Sequence, residues 1–173
     1  MLPALTFVLG GAASGKSQVA EKVLLSSGLR PVYLATARIW DKEMQSKVDL
    51  HRARRDITWT TVNAPTRIDP PLRAATADQA VLLDCATMWL SNVMLDDLDL
   101  DQAQADLLAA LEACAAPVVV VSNEVGQGIV PDNALSRRFR EAQGRLNIAL
   151  AAQADTVLHV VAGLPQVLKG HMP

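Results

Sequence analysis

The sequence is poor in cysteine, in net charge and in long apolar runs. Its two cysteines, Cys85 and Cys114, are too few for a disulfide framework and lack the spacing of a zinc site. With a net charge of -2, the chain lacks the excess of basic residues that general binding to nucleic acids or anionic membranes requires. No run approaches the roughly 20 apolar residues of a transmembrane helix. We therefore expect a reduced, cytoplasmic protein without a membrane span and without a nucleic-acid partner.

Aromatic residues are also scarce, at 3% of the chain, although 50% of the chain is hydrophobic. Such a composition, dominated by Ala, Val and Leu, suits buried parallel strands and Ala-rich helices. Apolar runs of strand length alternate with segments of helical length, which predicts an α/β fold with a mostly parallel sheet flanked by helices. We expect one domain over residues 1–173, with strands at 5–9, 31–35, 57–62, 80–84, 118–122 and 156–162.

Some elements can be placed more closely. Val118 to Val121 are apolar at every position, as expected of a central strand. Prolines 65, 70 and 71 mark a loop or a helix start, and the acidic segment 96–101 is expected to form an exposed turn between helices. Periodic spacing predicts a helix at 17–25 and another whose apolar face comprises Leu135, Phe139, Ala142, Leu146, Ala149 and Leu150.

The strongest chemical signal is a glycine-rich segment between the first predicted strand and the first predicted helix. It fits the pattern G-x-x-x-x-G-K-[ST]. Its glycines would let backbone N–H groups surround phosphate oxygens, and the helix N-terminus adds partial positive charge. Lys16 would reach the β- and γ-phosphates, and the Ser17 hydroxyl would ligate Mg²⁺. The alternative is a chance turn before Lys-Ser. The segment reads Gly10, Gly11, Ala12, Ala13, Ser14, Gly15, Lys16, Ser17.

A second signal is the apolar strand that ends at Asp84. In a fold with a phosphate loop, a carboxylate at the end of a strand can hold Mg²⁺, directly or through water. Many strands end at aspartate for structural reasons, so the motif gains meaning from the phosphate loop beside it.

A third signal is His51, which precedes Arg52, Arg54 and Arg55. A single histidine on a polar segment is usually a solvated surface residue. The alternative is a nucleophile, because neutral imidazole is available near pH 7 and could attack the α-phosphate of a nucleotide. The flanking arginines would then neutralise phosphate charge. The residues alone leave both interpretations open.

The segment 122–131, SNEVGQGIVP, follows the most apolar strand. Loops at the carboxyl ends of parallel strands often carry function, but a turn with glycines at positive φ explains the segment equally well. Arginines 137, 138, 140 and 145 could form a phosphate patch. A solvated helix face, with Arg137 paired to Glu141 at i,i+4, is the simpler interpretation.

Together these segments resemble the bifunctional adenosylcobinamide kinase/adenosylcobinamide-phosphate guanylyltransferase family of cobalamin biosynthesis. The resemblance runs from about Leu5 to Lys169 and covers nearly the whole chain. Its marks are the GGAASGKS loop, YLATA at 33–37, DKEM at 41–44 leading to His51 and Trp59, LLDC at 82–85, WLSN at 89–92, the segment 122–131, RRFR at 137–140 and GRLN at 144–147.

The resemblance implies two reactions in one RecA-like domain. The kinase moves the γ-phosphate of ATP or GTP to the aminopropanol hydroxyl of adenosylcobinamide. The transferase then moves GMP from GTP onto that phosphate, which gives adenosylcobinamide-GDP and pyrophosphate. In the family a histidine carries the GMP covalently, and His51 occupies its position in the motif. The resemblance also implies a homotrimer with sites near the subunit interfaces.

The family's functional residues carry over onto matching positions of this sequence. Lys16 and His51 would be catalytic, and Ser17 and Asp84 would hold Mg²⁺. The nucleotide contacts implied by the resemblance are the loop residues 10–17 together with Thr36, Ala37, Arg38, Arg52, Ala53, Arg54, Arg55, Asn63 and Asp84.

The chain departs from the family pattern at a few positions. Ala13 stands where an arginine is common, Asp56 follows Arg55 where a proline is usual, and Asn63 stands where a glutamate is usual. Two other functions fit the phosphate loop. One is a kinase of another small alcohol, with His51 on the surface. The other is a nucleotide-binding module without turnover, although no NKxD-type guanine motif is present.

Overall fold

A computed structural model describes residues 2–38 and 57–173. The described strands are β1 (Leu5–Gly10), β2 (Arg30–Ala35), β3 (Thr60–Asn63), β4 (Gln79–Asp84), β5 (Val118–Asn123), β6 (Thr156–Val161) and β7 (Leu164–Lys169). The described helices are α1 (Lys16–Leu25), α2 (Asp69–Ala74), α3 (Ala86–Leu95), α4 (Leu100–Glu112) and α5 (Ala134–Gln153).

The strands form a seven-stranded sheet in the order β3-β2-β4-β5-β1-β6-β7. The pairs from β3 to β6 are parallel, and β7 is antiparallel to β6. This confirms the predicted mostly parallel sheet. The position of β5 is important for the site, because β5 lies between the strand that leads into the phosphate loop and the strand that ends at Asp84.

The sequence prediction missed β7. This strand follows β6 through a tight turn in which Ala162 and Gly163 have φ values of 51° and 79°. Two successive residues at positive φ are typical of the hairpin turns that match strand twist. Pro165 within β7 made the segment look unlike a strand. The structure tolerates it because β7 is at the edge of the sheet.

The third predicted strand begins later than expected. The prediction started it at Ile57, but β3 begins at Thr60, and the Ile57 side chain is fully exposed. The other predicted strands agree with the structure to within one residue at each end. Val118 to Val121 are all fully buried in β5, at the centre of the sheet, as predicted.

Helices cover both faces of the sheet, as predicted. Side chains that alternate along each parallel strand point to opposite faces. On one face Val8, Leu82 and Val121 pack with Leu24 of α1. On the other face Phe7, Leu83 and Val120 pack with residues of α3, α4 and α5. This division determines which strand-end side chains face the phosphate loop.

Helix α5 buries most of the predicted apolar face. Ala142, Leu146 and Leu150 are buried, and Phe139 packs against the same core. Leu135, in the first turn of the helix, is 56% exposed, so this apolar face is not buried over its whole length. The same face also buries two polar side chains, Gln143 and Asn147, which the pattern did not predict.

The helix start marked by prolines and the acidic turn between helices are both present, as predicted. Prolines 70 and 71 occupy the first turn of α2, where a missing N–H leaves no helical hydrogen bond unmade. The acidic segment 96–101 separates α3 from α4: its residues 96–99 are exposed, and residues 100 and 101 already begin α4. Asp99 caps α4, since its Oδ1 accepts the Gln102 N–H at 2.9 Å.

None of the helices among the described residues is long and apolar enough to cross a membrane.

Two positions on α5 test the orientation of this helix. Leu146 is fully buried, and Leu146→Ala should lower the free energy of unfolding by about 2–5 kcal/mol because it leaves a cavity. Ile148 is 72% exposed, and Ile148→Ala should change that energy by less than about 0.5 kcal/mol. Urea unfolding measures both variants, and equal losses would contradict the assigned faces.

Candidate functional site

The predicted phosphate loop joins the end of β1 at Gly10 to the start of α1 at Lys16. A Cβ on Gly10 would lie 2.5 Å from Ser14 Oγ and 2.7 Å from the Val160 carbonyl oxygen, so only glycine fits there. Gly15 has φ 88°, the left-handed conformation that favours glycine. The motif's first and last glycines are therefore both required by the local geometry.

Two neighbouring segments brace this loop through backbone hydrogen bonds. The Gly163 N–H, in the turn between β6 and β7, donates to the Ser14 carbonyl at 2.8 Å. The Glu124 N–H, just after β5, donates to the Gly10 carbonyl at 3.0 Å. A Cβ on Gly15 would come within 3.0 Å of Gly163 Cα, which shows how closely the two turns approach. The sequence motif did not indicate either brace.

The loop has the features of an anion-binding site. Within residues 11–15, Ser14 is the only described residue whose N–H bonds a backbone carbonyl of the described chain, that of Gly11. The Ser14 hydroxyl is buried without a hydrogen-bond partner among the described residues. A buried polar atom without a partner is unusual and calls for an explanation. A phosphate oxygen would satisfy both the hydroxyl and the open N–H groups.

Lys16 is partly buried, and its Nζ donates to the Gly11 carbonyl at 3.0 Å. Burial lowers the pKa of Lys16 below its ordinary value, and the charge of the nearby Asp84 opposes that change. Burial also raises the pKa of the Cys85 thiol to about 12, so this thiol is neutral near pH 7. Asp84 is therefore the nearby anion that balances Lys16 in the described part of the site.

Asp84 ends β4, with β5 between it and the phosphate-loop strand. Its Oδ2 accepts from the Tyr33 hydroxyl at 3.3 Å. Asp84 and Leu82 share the sheet face of α1, because side chains alternate along a strand. The fold thus brings the predicted Asp84 and Lys16 to the same edge and the same face of the sheet.

The predicted contacts at 36–38 follow β2 directly. Thr36 is fully buried, and its Oγ1 both donates to the Cys85 carbonyl and accepts from the Cys85 N–H, each at 2.8 Å. Arg38 instead reaches Asp96 with paired hydrogen bonds of 2.7 and 2.5 Å. This pairing lowers the pKa of Asp96. The two hydrogen bonds of Thr36 tie the end of β2 to Cys85, the residue that follows Asp84.

Asn63 is the last residue of β3 and is exposed. It pairs with Ala35 of β2, and Ala35 in turn pairs with Asp84 of β4. Asn63 and Asp84 therefore lie at the same level of the carboxyl edge, on either side of β2. The predicted residues His51, Arg52, Ala53, Arg54 and Arg55 lie outside the described residues.

Two arginines of α5 hold the loop at 124–133. Arg137 donates to the carbonyls of Pro131 and Asp132 at 2.9 and 2.8 Å, and Arg140 donates to the carbonyl of Gly126. The predicted Arg137–Glu141 pair was wrong, since Glu141 lies 3.9 Å from Arg145 instead. Loop carbonyls without strand or helix partners attract the guanidinium groups of the nearest helix turns.

Among the described residues, no group of three or more His, Cys, Asp or Glu side chains could hold a metal ion. A magnesium ion bound with a nucleotide does not need such a group, since phosphate oxygens and water supply most of its ligands.

Comparison with known proteins agrees with the family resemblance noted in the sequence. The sequence model described as cobinamide kinase / cobinamide phosphate guanyltransferase matches residues 6–168. The bifunctional adenosylcobalamin biosynthesis protein CobP of Pseudomonas aeruginosa is 43% identical over 166 residues, covering 94% of this chain and 96% of the relative. The corresponding CobU of Salmonella typhimurium is 38% identical over 181 residues, covering 95% and 99%.

Solved structures share the fold at low sequence identity. An ATPase from the type III secretion system of pathogenic bacteria has a TM-score of 0.54 at 10% identity, over 95% of this chain and 57% of that one. A protein of Pyrococcus horikoshii OT3 has a TM-score of 0.56 at 9% identity, over 98% and 88%. With the strand order, this likeness confirms the predicted RecA-like fold.

The two adjacent glycines of the loop offer a matched test of its geometry. Gly10→Ala should lower the free energy of unfolding by about 1–3 kcal/mol, because the added Cβ meets Ser14 and a backbone carbonyl. Gly11→Ala should change it by less than about 1 kcal/mol, since nothing lies within 4 Å of its Cβ. Urea unfolding without nucleotide measures both, and equal midpoints would refute the packing at Gly10.

Proposed function

Since this chain belongs to the cobinamide kinase / cobinamide phosphate guanyltransferase family, we propose that its braced phosphate loop serves both activities in cobalamin biosynthesis. The observation that carries the proposal is the family match over residues 6–168, which includes the whole loop and the strand that ends at Asp84. The substrates are ATP or GTP and a corrinoid, adenosylcobinamide in the first reaction and its phosphate in the second.

In the kinase reaction, the aminopropanol hydroxyl of adenosylcobinamide attacks the γ-phosphorus of ATP or GTP. The bond to the bridging oxygen breaks, the nucleoside diphosphate leaves, and the hydroxyl proton is released. The open N–H groups of the loop hold the phosphates in place, and Lys16 neutralises charge on the transferring group. The partial burial of Lys16 strengthens this interaction, because water screens it less.

The residues present fit a magnesium ion. The Ser17 hydroxyl, at the start of α1, and the Asp84 carboxylate are hard oxygen ligands on the phosphate side of the sheet edge. When bound, Mg²⁺ neutralises charge on the phosphate oxygens. We assign its protein contacts to Ser17 and Asp84.

In the guanylyltransferase reaction, we assign the nucleophile to His51. Its neutral imidazole nitrogen attacks the α-phosphorus of GTP, a nitrogen–phosphorus bond forms, and pyrophosphate leaves. A phosphate oxygen of adenosylcobinamide phosphate then attacks the same phosphorus. This step gives adenosylcobinamide-GDP and frees His51.

The remaining assignments are nucleotide contacts. We assign these to loop residues 10–17, to 36–38, to 52–55, and to Asn63 and Asp84. Asn63 and Asp84 support this assignment, because both stand at the carboxyl edge where ligands of parallel sheets bind. The family resemblance also leads us to propose a single domain over residues 1–173, a homotrimer and a cytoplasmic location.

Labelling with GTP tests the transferase assignment. Incubation with α-³²P-GTP and Mg²⁺ should give an acid-labile protein adduct, because phosphoramidates hydrolyse in acid. His51→Ala should abolish the adduct, whereas His171→Ala, in the exposed tail, should retain it. Label that survives in His51→Ala, or no label in the parent protein, would refute the assignment.

Two lysines of α1 test the kinase assignment. Lys16→Ala should lower the kcat for adenosylcobinamide phosphorylation by roughly 100-fold or more, because a cation on the transferring phosphate is lost. Lys22→Ala, exposed in the last turn of the same helix, should retain the parent rate. Product formation is followed by chromatography. Equal rates for Lys16→Ala and the parent would exclude this role for Lys16.

A further inference from the structure

A buried polar network lies behind the carboxyl end of β5. Ser122 Oγ donates to Asn147 Oδ1 at 2.7 Å, and Gln143 Nε2 donates to both Ser122 Oγ and Asn147 Oδ1 at 2.9 Å. Thr87 Oγ1, in the first turn of α3, lies 3.3 Å from Ser122 Oγ. All four side chains are at least 90% buried. The network therefore joins β5, α3 and α5 in a region sheltered from water.

Burying this polar network in the core is unfavourable in free energy, because its polar groups lose their contacts with water. Gln143 is fully buried, and its Oε1 has no hydrogen-bond partner among the described residues. An apolar side chain of similar size would avoid the desolvation of that amide. Packing alone thus gives no reason for a glutamine at this position. The backbone groups that the network holds give a better reason.

The group held by the network is the peptide backbone of Asn123. Its N–H donates to Thr87 Oγ1 at 2.8 Å, and its carbonyl accepts from Asn147 Nδ2 at 3.2 Å. The next N–H, that of Glu124, donates to Gly10. The end of β5 is consequently attached to α3 and α5 on one side and to the phosphate loop on the other.

The side chain of Asn123 lies on the opposite face from the network. Side chains alternate along a strand, so Asn123 shares the face of Val121, which packs in the cluster that contains α1. Asn123 pairs with Gly10, the first residue of the phosphate loop, and Val121 pairs with Asp84. Within the described chain no residue hydrogen-bonds the Asn123 side-chain amide, so its donor is available to a ligand.

From this placement, we propose that the Asn123 amide donates to an oxygen of the nucleotide γ-phosphate, and that Gln143, Asn147 and Thr87 are positioning residues for it. Asn123 stands between the phosphate loop and Asp84, where the terminal phosphate of a bound nucleotide must lie. A neutral donor held at a fixed position can stabilise charge on the transferring group without reorganising. The inference deepens the proposed function, on which it rests for the identity of the bound nucleotide.

Equilibrium binding separates this contact from a structural role. The measured quantity is the dissociation constant of GDP divided by that of the β,γ-imido analogue of GTP, both measured with Mg²⁺. Asn123→Ala should lower the parent's ratio by about tenfold, because a hydrogen bond to a charged group is lost only with the analogue. Gln143→Met should lower it by roughly threefold, through displacement of Asn123.

A double-mutant cycle tests whether Gln143 acts through Asn123. In the Asn123→Ala background, Gln143→Met should leave the ratio unchanged. Thr87→Val removes the acceptor of the Asn123 N–H and supplies the same test if Gln143→Met does not fold. Gln153→Met is the matched control, because Gln153 is on the same helix and donates to the distant Leu108 carbonyl.

The outcomes separate three claims: the contact made by Asn123, the positioning role of Gln143 and the proposed function. A ratio unaffected by Asn123→Ala, or a parent protein that binds both nucleotides equally, would overturn the contact. An equal effect of Gln143→Met with and without Asn123 would overturn the positioning role. If the ratios behave as expected but the parent does not phosphorylate adenosylcobinamide, the inference is supported and the proposed function fails.

Discussion

Gly10 has no side chain at the point where β1 ends, and Ser14 Oγ and the Val160 carbonyl fill the space that a Cβ would need. This close approach sets the sharp turn of the phosphate loop, and therefore the direction in which α1 begins. The bonds from Gly163 and Glu124 then fix the loop to the strands beside it. Because the loop is held by backbone groups, its open N–H groups stay available to an anion without reorganisation.

Burial and a neighbouring anion both act on the pKa of Lys16 in the site. Lys16 is partly removed from water, which lowers its pKa, and Asp84 is the anion that compensates. The neutral Cys85 beside them adds no charge near pH 7, because burial raises the pKa of its thiol to about 12. Other cations have different partners: Arg137 and Arg140 of α5 bind loop carbonyls, and Arg38, just after β2, binds Asp96. The net charge of -2 thus conceals cations with different roles.

Much of the fold was predictable because strand burial leaves a direct trace in composition. The unbroken apolar run of β5 indicated a central strand, and it lies at the centre of the sheet. Edge elements leave a weaker trace. The strand β7 contains Pro165 and mostly exposed residues, so its pattern resembled a tail. The start of β3 was misplaced because Ile57 is apolar but fully exposed, and burial cannot be read from residue type alone.

The sequence by itself determined the phosphate loop and the strand ending at Asp84, because both depend on short stretches whose geometry follows from residue type. Only the tertiary structure decided what surrounds them. Gly163, Glu124 and the Gln143 network come from distant parts of the chain, and their hydrogen bonds form where separate strands and helices meet. Such contacts have no signature in local spacing, because they depend on the order of strands in the sheet.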